Sequence, residues 1–293
     1  MDPSQPIGIA GTGRLAQALG RLLRQAGCPV TAIAGRDPVR AQQAAAFVGV
    51  RSVTLAELAR VASRWLIAVR DEALATVAAE LARAGARTGI ALHTSGVRGP
   101  EALAPLADSG VSCGALHPLQ TVATPEQGVH ALRGSAFAIT AEGAAADWAE
   151  QIVHAAGGWT LRIPAPRRAA YHAAAVLASN CLVGLLDAAV SLMSVAGIEP
   201  HEALRALAPL VRASCENALA LGPAAALTGP VRRGDLETVS LHWQALADAP
   251  PTVREIYRVC SLHLIALARL GGLPPERSRQ MARMLERGDS DHA

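Results

Sequence analysis

Ile7-Gly8-Ile9-Ala10-Gly11-Thr12-Gly13-Arg14-Leu15-Ala16 passes from a short apolar run through two glycines into a helical pattern. Few folds accommodate it. In a Gly-x-Gly-x-x-Ala sequence the first glycine permits a tight turn, and the second lets the backbone approach a pyrophosphate. The small third residue lets the helix pack on the strand. The helix that follows directs unpaired N–H groups and its positive dipole end toward any anion on the turn. Gly11, Thr12, Gly13, Arg14 and Leu15 are therefore candidate contacts to a dinucleotide. A strand–glycine–helix turn can also be purely structural, so its context has to decide.

That context is an alternation of strands and helices, which implies a parallel sheet. Strands are expected at 7–10, 29–34, 49–53, 65–69, 90–92 and 112–116, and a further strand, helix and strand at 134–140, 144–156 and 159–163. The turn Gly35-Arg36-Asp37-Pro38 should decide the cofactor. An acidic residue at the end of the second strand binds the ribose hydroxyls of NAD, whereas an arginine accommodates the 2′-phosphate of NADP. Arg36 and Arg40 favour NADP, and Asp37 keeps NAD as the lesser alternative. Val69 and Arg70, closing the fourth strand, should face the cofactor at the carboxyl edge of the sheet. Two polar clusters end the fifth and sixth strands at that same edge: His93-Thr94-Ser95-Gly96 and His117-Pro118-Leu119-Gln120-Thr121.

Pro164 and Pro166 mark an exit from this pattern. Beyond Arg167 the chain reads as helix almost throughout, with one long helix to Gly197, another over 199–221, and more near 236–247 and 251–270. With 293 residues, two domains are expected: 1–165, a doubly wound, mainly parallel α/β dinucleotide-binding domain, and 166–293, an all-α domain for substrate and dimerisation. On one continuous helix His172, Asn180 and Asp187 share a face with Val176 and Val183, a sparse polar stripe that could line a substrate site or be satisfied in a core. Thr228 to Asp235 reads as a compact loop in which Asp235 caps the next helix. Arg232 and Arg233 in that loop could hold an anionic substrate. The tail from Gly288 is expected to fray.

Composition excludes several function classes. The 27 basic residues are all arginine, which rules out a Schiff-base lysine, a lysine general acid and a P-loop lysine. A net charge of +3 without a basic cluster argues against nucleic acid. Five widely spaced cysteines with no CxxC pair suggest small buried residues of a reducing compartment. The first strand starts too early for an export signal, so a cytoplasmic location is expected. The apolar stretch from Ala173 to Gly197 is long enough to span a bilayer but is interrupted by Asn180 and Asp187, and reads as a core or interface helix, not a membrane span.

Taken together, Gly11-Thr-Gly13, His93-Thr-Ser-Gly96, Ala115-Leu-His-Pro-Leu-Gln-Thr121, Tyr171-His172 through Ser179-Asn180, and Thr228-Gly-Pro through Gly234-Asp235 resemble a family of Rossmann-like oxidoreductases. In that family the C-terminal half is a helical domain of unknown function. It is similar to the 6-phosphogluconate dehydrogenase-like superfamily, including pyrroline-5-carboxylate reductase and prephenate dehydrogenase. The resemblance implies NADP use and a homodimer formed through the helical half. Two departures limit it. Hydroxyacid dehydrogenases of that superfamily place a catalytic lysine four residues before an asparagine; if Asn180 is that asparagine, Val176 stands at the lysine position. His117-Pro118 looks like the His-Pro step of prephenate dehydrogenases, whose histidine meets the reacting hydroxyl, but no Ala-Gly pair follows it.

The leading expectation is an NADP-dependent oxidoreductase that moves hydride between nicotinamide and a small carbonyl, imine or alcohol in a cleft between the halves. Histidine titrates closest to neutrality, so His117 is the first candidate for general acid/base and His93 the second. Ser95 would bond substrate or nicotinamide, with His172 and Asn180 on the far wall. The rival is a nucleotide sensor or interaction protein that binds NADP without turnover. A metal hydrolase using His93 and His117 ranks below both, because no HxH or HxxxH pairing presets ligand geometry.

Overall fold

The computed structural model describes residues 5–287, so the tail expected to fray lies outside the described residues. The chain divides into two compact units, Met1–Ser179 and Asn180–Ala293. In the first, β1 (Ile7–Ala10), α1 (Arg14–Gln25), β2 (Val30–Ala34), α2 (Pro38–Val48), β3 (Arg51–Val53), α3 (Leu55–Val61), β4 (Arg64–Ile67), α4 (Leu74–Arg83), β5 (Ile90–His93), α5 (Ala104–Ala107) and β6 (Ser112–Pro118) alternate along the chain. Then come α6 (Pro125–Ala131), β7 (Ala136–Thr140), α7 (Gly143–Ala155), β8 (Trp159–Arg162) and α8 (Arg168–Ala178).

The eight strands form one sheet in the order β3-β2-β1-β4-β5-β6-β7-β8. Every neighbouring pair is parallel except β6 with β7. Strand alternation buries one set of residues against α1 and α7: Ile9, Leu66, Leu92 and Leu116 meet Leu19, Leu22 and Trp148. The other set, Ala10, Ala34, Trp65, Ile67 and Ala91, meets Leu58 of α3 and Leu74 of α4. Both faces are covered, as a parallel sheet requires. Ala10, Ile67, His93 and Ala115 lie in one row of the register. The segments leaving β1, β4, β5 and β6 therefore emerge together at one carboxyl edge. The strand order reverses beside β1, the switch point where open α/β sheets collect ligands.

The first unit continues beyond residue 165, the expected boundary, because α8 packs back onto it through a fully buried Arg168. The expected continuous helix is broken at Ser179, whose φ of −126° and ψ of −72° are not helical. His172 therefore lies on α8, whereas Asn180 and Asp187 lie on α9 (Asn180–Val195) in the second unit, so the three do not share one helix.

That unit also holds α10 (Pro200–Leu221), α11 (Pro223–Ala226), α12 (Gly229–Arg233), α13 (Leu236–Ala245), α14 (Pro251–Leu270) and α15 (Pro275–Arg287). The expected loop at 228–235 thus contains the short helix α12. Asp235 caps α13 as anticipated, accepting from the Thr238 N–H at 3.0 Å. Val231, Val239, Ile265, Met281 and Leu285 form a core. Helices α9 and α10 contribute little to it: Ala188 is the buried residue of one and Ala203 of the other. Leu182, Val183, Leu185, Leu204, Leu210 and Leu219 are exposed, so the core reading of the apolar stretch fails within a single chain. The segment Ala165–Val195 is long and apolar enough to cross a membrane by length and composition. The cysteines are free, but Cys181 is exposed and the others are half-buried, where full burial was expected.

Candidate active site

Helix α1 begins at an open site. Gly13 is its N-cap, no side chain caps it, and no acidic residue stands in its first turn. A Cβ on Gly13 would meet nothing within 4 Å, so the space above these N–H groups is clear. Gly11 differs: its φ is +128°, and a Cβ there would stand 2.1 Å from the Ala68 carbonyl oxygen, leaving no choice of residue. Val69 borders the same turn. Thr12 packs against Gly35, which joins the glycine turn to the Arg36 turn. Asp37 is committed to capping α2, accepting from the Val39 and Arg40 N–H groups, and pairs with Arg40 at 3.5 Å. Arg36 is exposed and, among the described residues, makes no ion pair or hydrogen bond. Uncapped N–H donors, a clear cradle and an uncommitted arginine after β2 fit a dinucleotide with a 2′-phosphate.

His93 is fully buried, and backbone claims both of its ring nitrogens. Nε2 lies 2.8 Å from the Gly99 carbonyl and Nδ1 accepts from the Ser95 N–H at 3.2 Å. Those partners fix the Nε2–H tautomer, and burial pushes the ring down to about 4. His93 therefore holds the loop after β5. It has no nitrogen left for a proton-transfer or metal role, which removes it as the second acid/base candidate and removes the metal reading that needed it. Ser95 is also committed within that loop: its hydroxyl donates to Asp71 at 2.9 Å and accepts from the Arg98 N–H at 3.1 Å.

His117, near the end of β6, is placed differently. Its Nδ1 is 2.8 Å from the hydroxyl of Tyr171 on α8. Its ring stands edge-on to Tyr171 and to His172, with centroids 5.7 and 5.8 Å away. Gly96 lies beneath both imidazoles: a Cβ there would come within 2.2 Å of His172 Cδ2 and 3.0 Å of the Nε2 atoms of His117 and His172. Burial lowers His117 to about 4, with His172 and Arg168 adding to the effect and Asp71 opposing it. The ring is thus uncharged at neutral pH, where the sequence suggested titration near 7. Burial likewise raises the Tyr171 hydroxyl to about 12, although Arg168 pulls it down.

Arg168 fastens this arrangement. It is fully buried, donates to Thr140 Oγ1 at 2.9 Å and to the Ser95 carbonyl, and leaves Nε without a partner. One side chain thereby ties the end of β7, the loop after β5 and the first turn of α8. Tyr171 and His172, three and four residues on, follow one helical turn later. Sequence reasoning missed both Arg168 and Tyr171 as site residues. Tyr171 stood next to a candidate, but nothing local marks Arg168 as buried, and arginine seldom is.

The remaining candidates lie elsewhere. Arg70 is exposed at the end of the segment leaving β4, at the dinucleotide edge. Asn180 is an exposed residue of the second unit. Arg233 is 3.9 Å from Asp235, and Arg232 lies over Gly271.

Residues 2–118 match the Rossmann-like domain family, and residues 135–264 match a domain of unknown function, DUF2520. No protein of curated function matches the sequence. Among solved structures, the fold is similar to a protein from Bacteroides fragilis at 23% identity and TM-score 0.73, covering 90% of this chain and 99% of that one. A protein from Thermotoga maritima shows 23% identity, TM-score 0.74 and the same coverage. A reductive aminase from Aspergillus terreus, solved with NADPH and ethyl-5-oxohexanoate, shows 18% identity and TM-score 0.55, covering 99% of this chain and 95% of that one. Both family matches reach into the first compact unit, since His117 belongs to one and Tyr171 to the other. The chain is thus built as a Rossmann-like domain joined to a DUF2520 domain.

Proposed function

We propose that this protein is an NADP-dependent oxidoreductase acting on a small carbonyl, imine or alcohol, with His117 as the group that meets the reacting oxygen or nitrogen. One observation carries the reading: a single compact unit holds both an uncapped, unobstructed helix N-terminus at the switch point and a half-buried imidazole at the end of β6. The likeness in fold to an NADPH-bound reductive aminase supports it. Gly11, Gly13 and the first turn of α1 would hold the pyrophosphate and Arg36 the 2′-phosphate; NADPH would supply hydride. Without any lysine, the chain cannot use the lysine chemistry of hydroxyacid dehydrogenases.

The same reading includes a homodimer formed through residues 166–293 in a reducing, cytoplasmic setting. Support comes from the exposed leucines of α9 and α10 and the free cysteines. The test is a screen of ketones, keto acids, aldehydes and cyclic imines for NADPH oxidation, followed by His117→Asn. Turnover should fall by about 10²–10⁴-fold in the variant while cofactor affinity holds. A protein that binds NADPH yet turns over nothing would be the sensor instead.

A further inference from the structure

The Tyr171 hydroxyl and His117 Nδ1 bond each other and, among the described residues, no other group. The tyrosine hydroxyl must place its one proton, and its hydrogen-bond partner among the described residues is His117 Nδ1. A neutral imidazole carries its proton on one nitrogen and accepts at the other. If Tyr171 donates to Nδ1, the ring proton sits on Nε2, the nitrogen over Gly96 beside His172. Among the described residues, the hydrogen bond of the His117 ring is the one at Nδ1, and none is made at Nε2. The surroundings point the same way. Arg168 is a buried cation and, among the described residues, no carboxylate lies within ion-pair distance of it. Asp71 and Glu101, the acids whose charges act on it, are engaged by the Ser95 hydroxyl and the Gly99 N–H.

We propose that Tyr171 acts through His117, fixing the Nε2–H tautomer so that the site presents a hydrogen-bond donor to a carbonyl oxygen and disfavours a cationic iminium. The proposal rests on the oxidoreductase reading and narrows its substrate class. As hydride reaches the carbonyl carbon, the oxygen gains negative charge and takes the Nε2 proton. Nδ1 takes the proton of the Tyr171 hydroxyl, leaving a tyrosinate beside Arg168. One O–H bond forms in the product for each one broken in Tyr171, and His117 ends as the opposite neutral tautomer; the site resets when Nε2 takes a proton from solvent and Nδ1 returns its own to the tyrosinate. The transfer runs downhill because an alkoxide is a stronger base than a tyrosinate. An iminium nitrogen offers no lone pair to Nε2–H and carries a charge that Arg168 repels.

The deciding measurement is the two-bond ¹H–¹⁵N spectrum of the histidine rings in the whole protein at neutral pH, with His117→Asn and His172→Asn assigning the signals. Wild-type His117 should be protonated on Nε2 alone, and Tyr171→Phe should raise the Nδ1–H population at least tenfold. Protonation on Nδ1 in the wild type, or a tautomer ratio unchanged in Tyr171→Phe, overturns the proposal. The wild-type spectrum can do so even if the variant fails to fold. With active protein, a ketone should be reduced at a kcat/KM at least tenfold above the cyclic imine of the same ring size, and the reverse ratio overturns the substrate class. Absence of any NADPH oxidation would sink the oxidoreductase reading while leaving the tautomer result standing.

Discussion

Two histidines at neighbouring strand ends look equivalent in sequence and are opposite in structure. His93 spends both nitrogens on backbone, whereas His117 spends one on Tyr171 and keeps the other. Both rings are held near 4 by burial, which has a consequence for stability. In the unfolded chain each would take up a proton as the pH falls past about 6.5. In the folded protein neither does so until about 4. Between those values the unfolded state binds more protons, so stability is full above the window and is lost as pH falls through it, by up to about 1.4 kcal/mol per pH unit per histidine. Thermal melts from pH 8 to 4 should show this decline, and His93→Gln should reduce its slope, leaving the part due to His117. A melting temperature independent of pH below 6.5 would contradict the burial of these rings. The distinction between the two histidines was not legible in sequence, because it depends on where the Gly99 carbonyl and Tyr171 arrive from distant positions.

At the scale of elements, the strands, their order of appearance and the glycine turn were readable from apolar runs broken by turn residues. The edges moved by a residue or two, as at β2 and β4. The break at Ser179 was marked only weakly: Ser179 and Asn180 favour caps and turns, but neither proline nor glycine stands there and the apolar helical pattern runs on both sides. The anchoring of α8 was hidden because it comes from a tertiary contact of one arginine. Removing that contact should be costly. Arg168→Met fills similar volume but leaves the Ser95 carbonyl without its donor, an unmet buried acceptor worth about 1–3 kcal/mol. The urea midpoint should fall, and the His117 ring signals should broaden as α8 loosens. An unchanged midpoint would show that α8 is held by something other than Arg168.

At the scale of the molecule, the two parts have different needs. The first unit covers both faces of its sheet and buries large side chains such as Trp65 and Trp148. The second leaves most of α9 and α10 uncovered, an apolar exposure beyond what a monomer ordinarily shows. Light scattering should therefore give about twice 30.2 kDa, and a monomer at micromolar concentration would contradict the homodimer. The excess of apolar residues was legible in sequence, but which helices keep it exposed was not. The central claim is that the glycine turn and Arg36 hold NADP(H), and calorimetric titration of NADPH and NADH into wild type, Gly13→Val and Arg36→Ala tests it most directly. The account predicts NADPH binding at least tenfold tighter than NADH, a margin of about 1.4 kcal/mol, and loss of that preference in Arg36→Ala. Gly13→Val should abolish binding, with stability changed by about 1 kcal/mol or less because its Cβ meets open space. Wild-type protein that binds neither cofactor, or both equally, would contradict it.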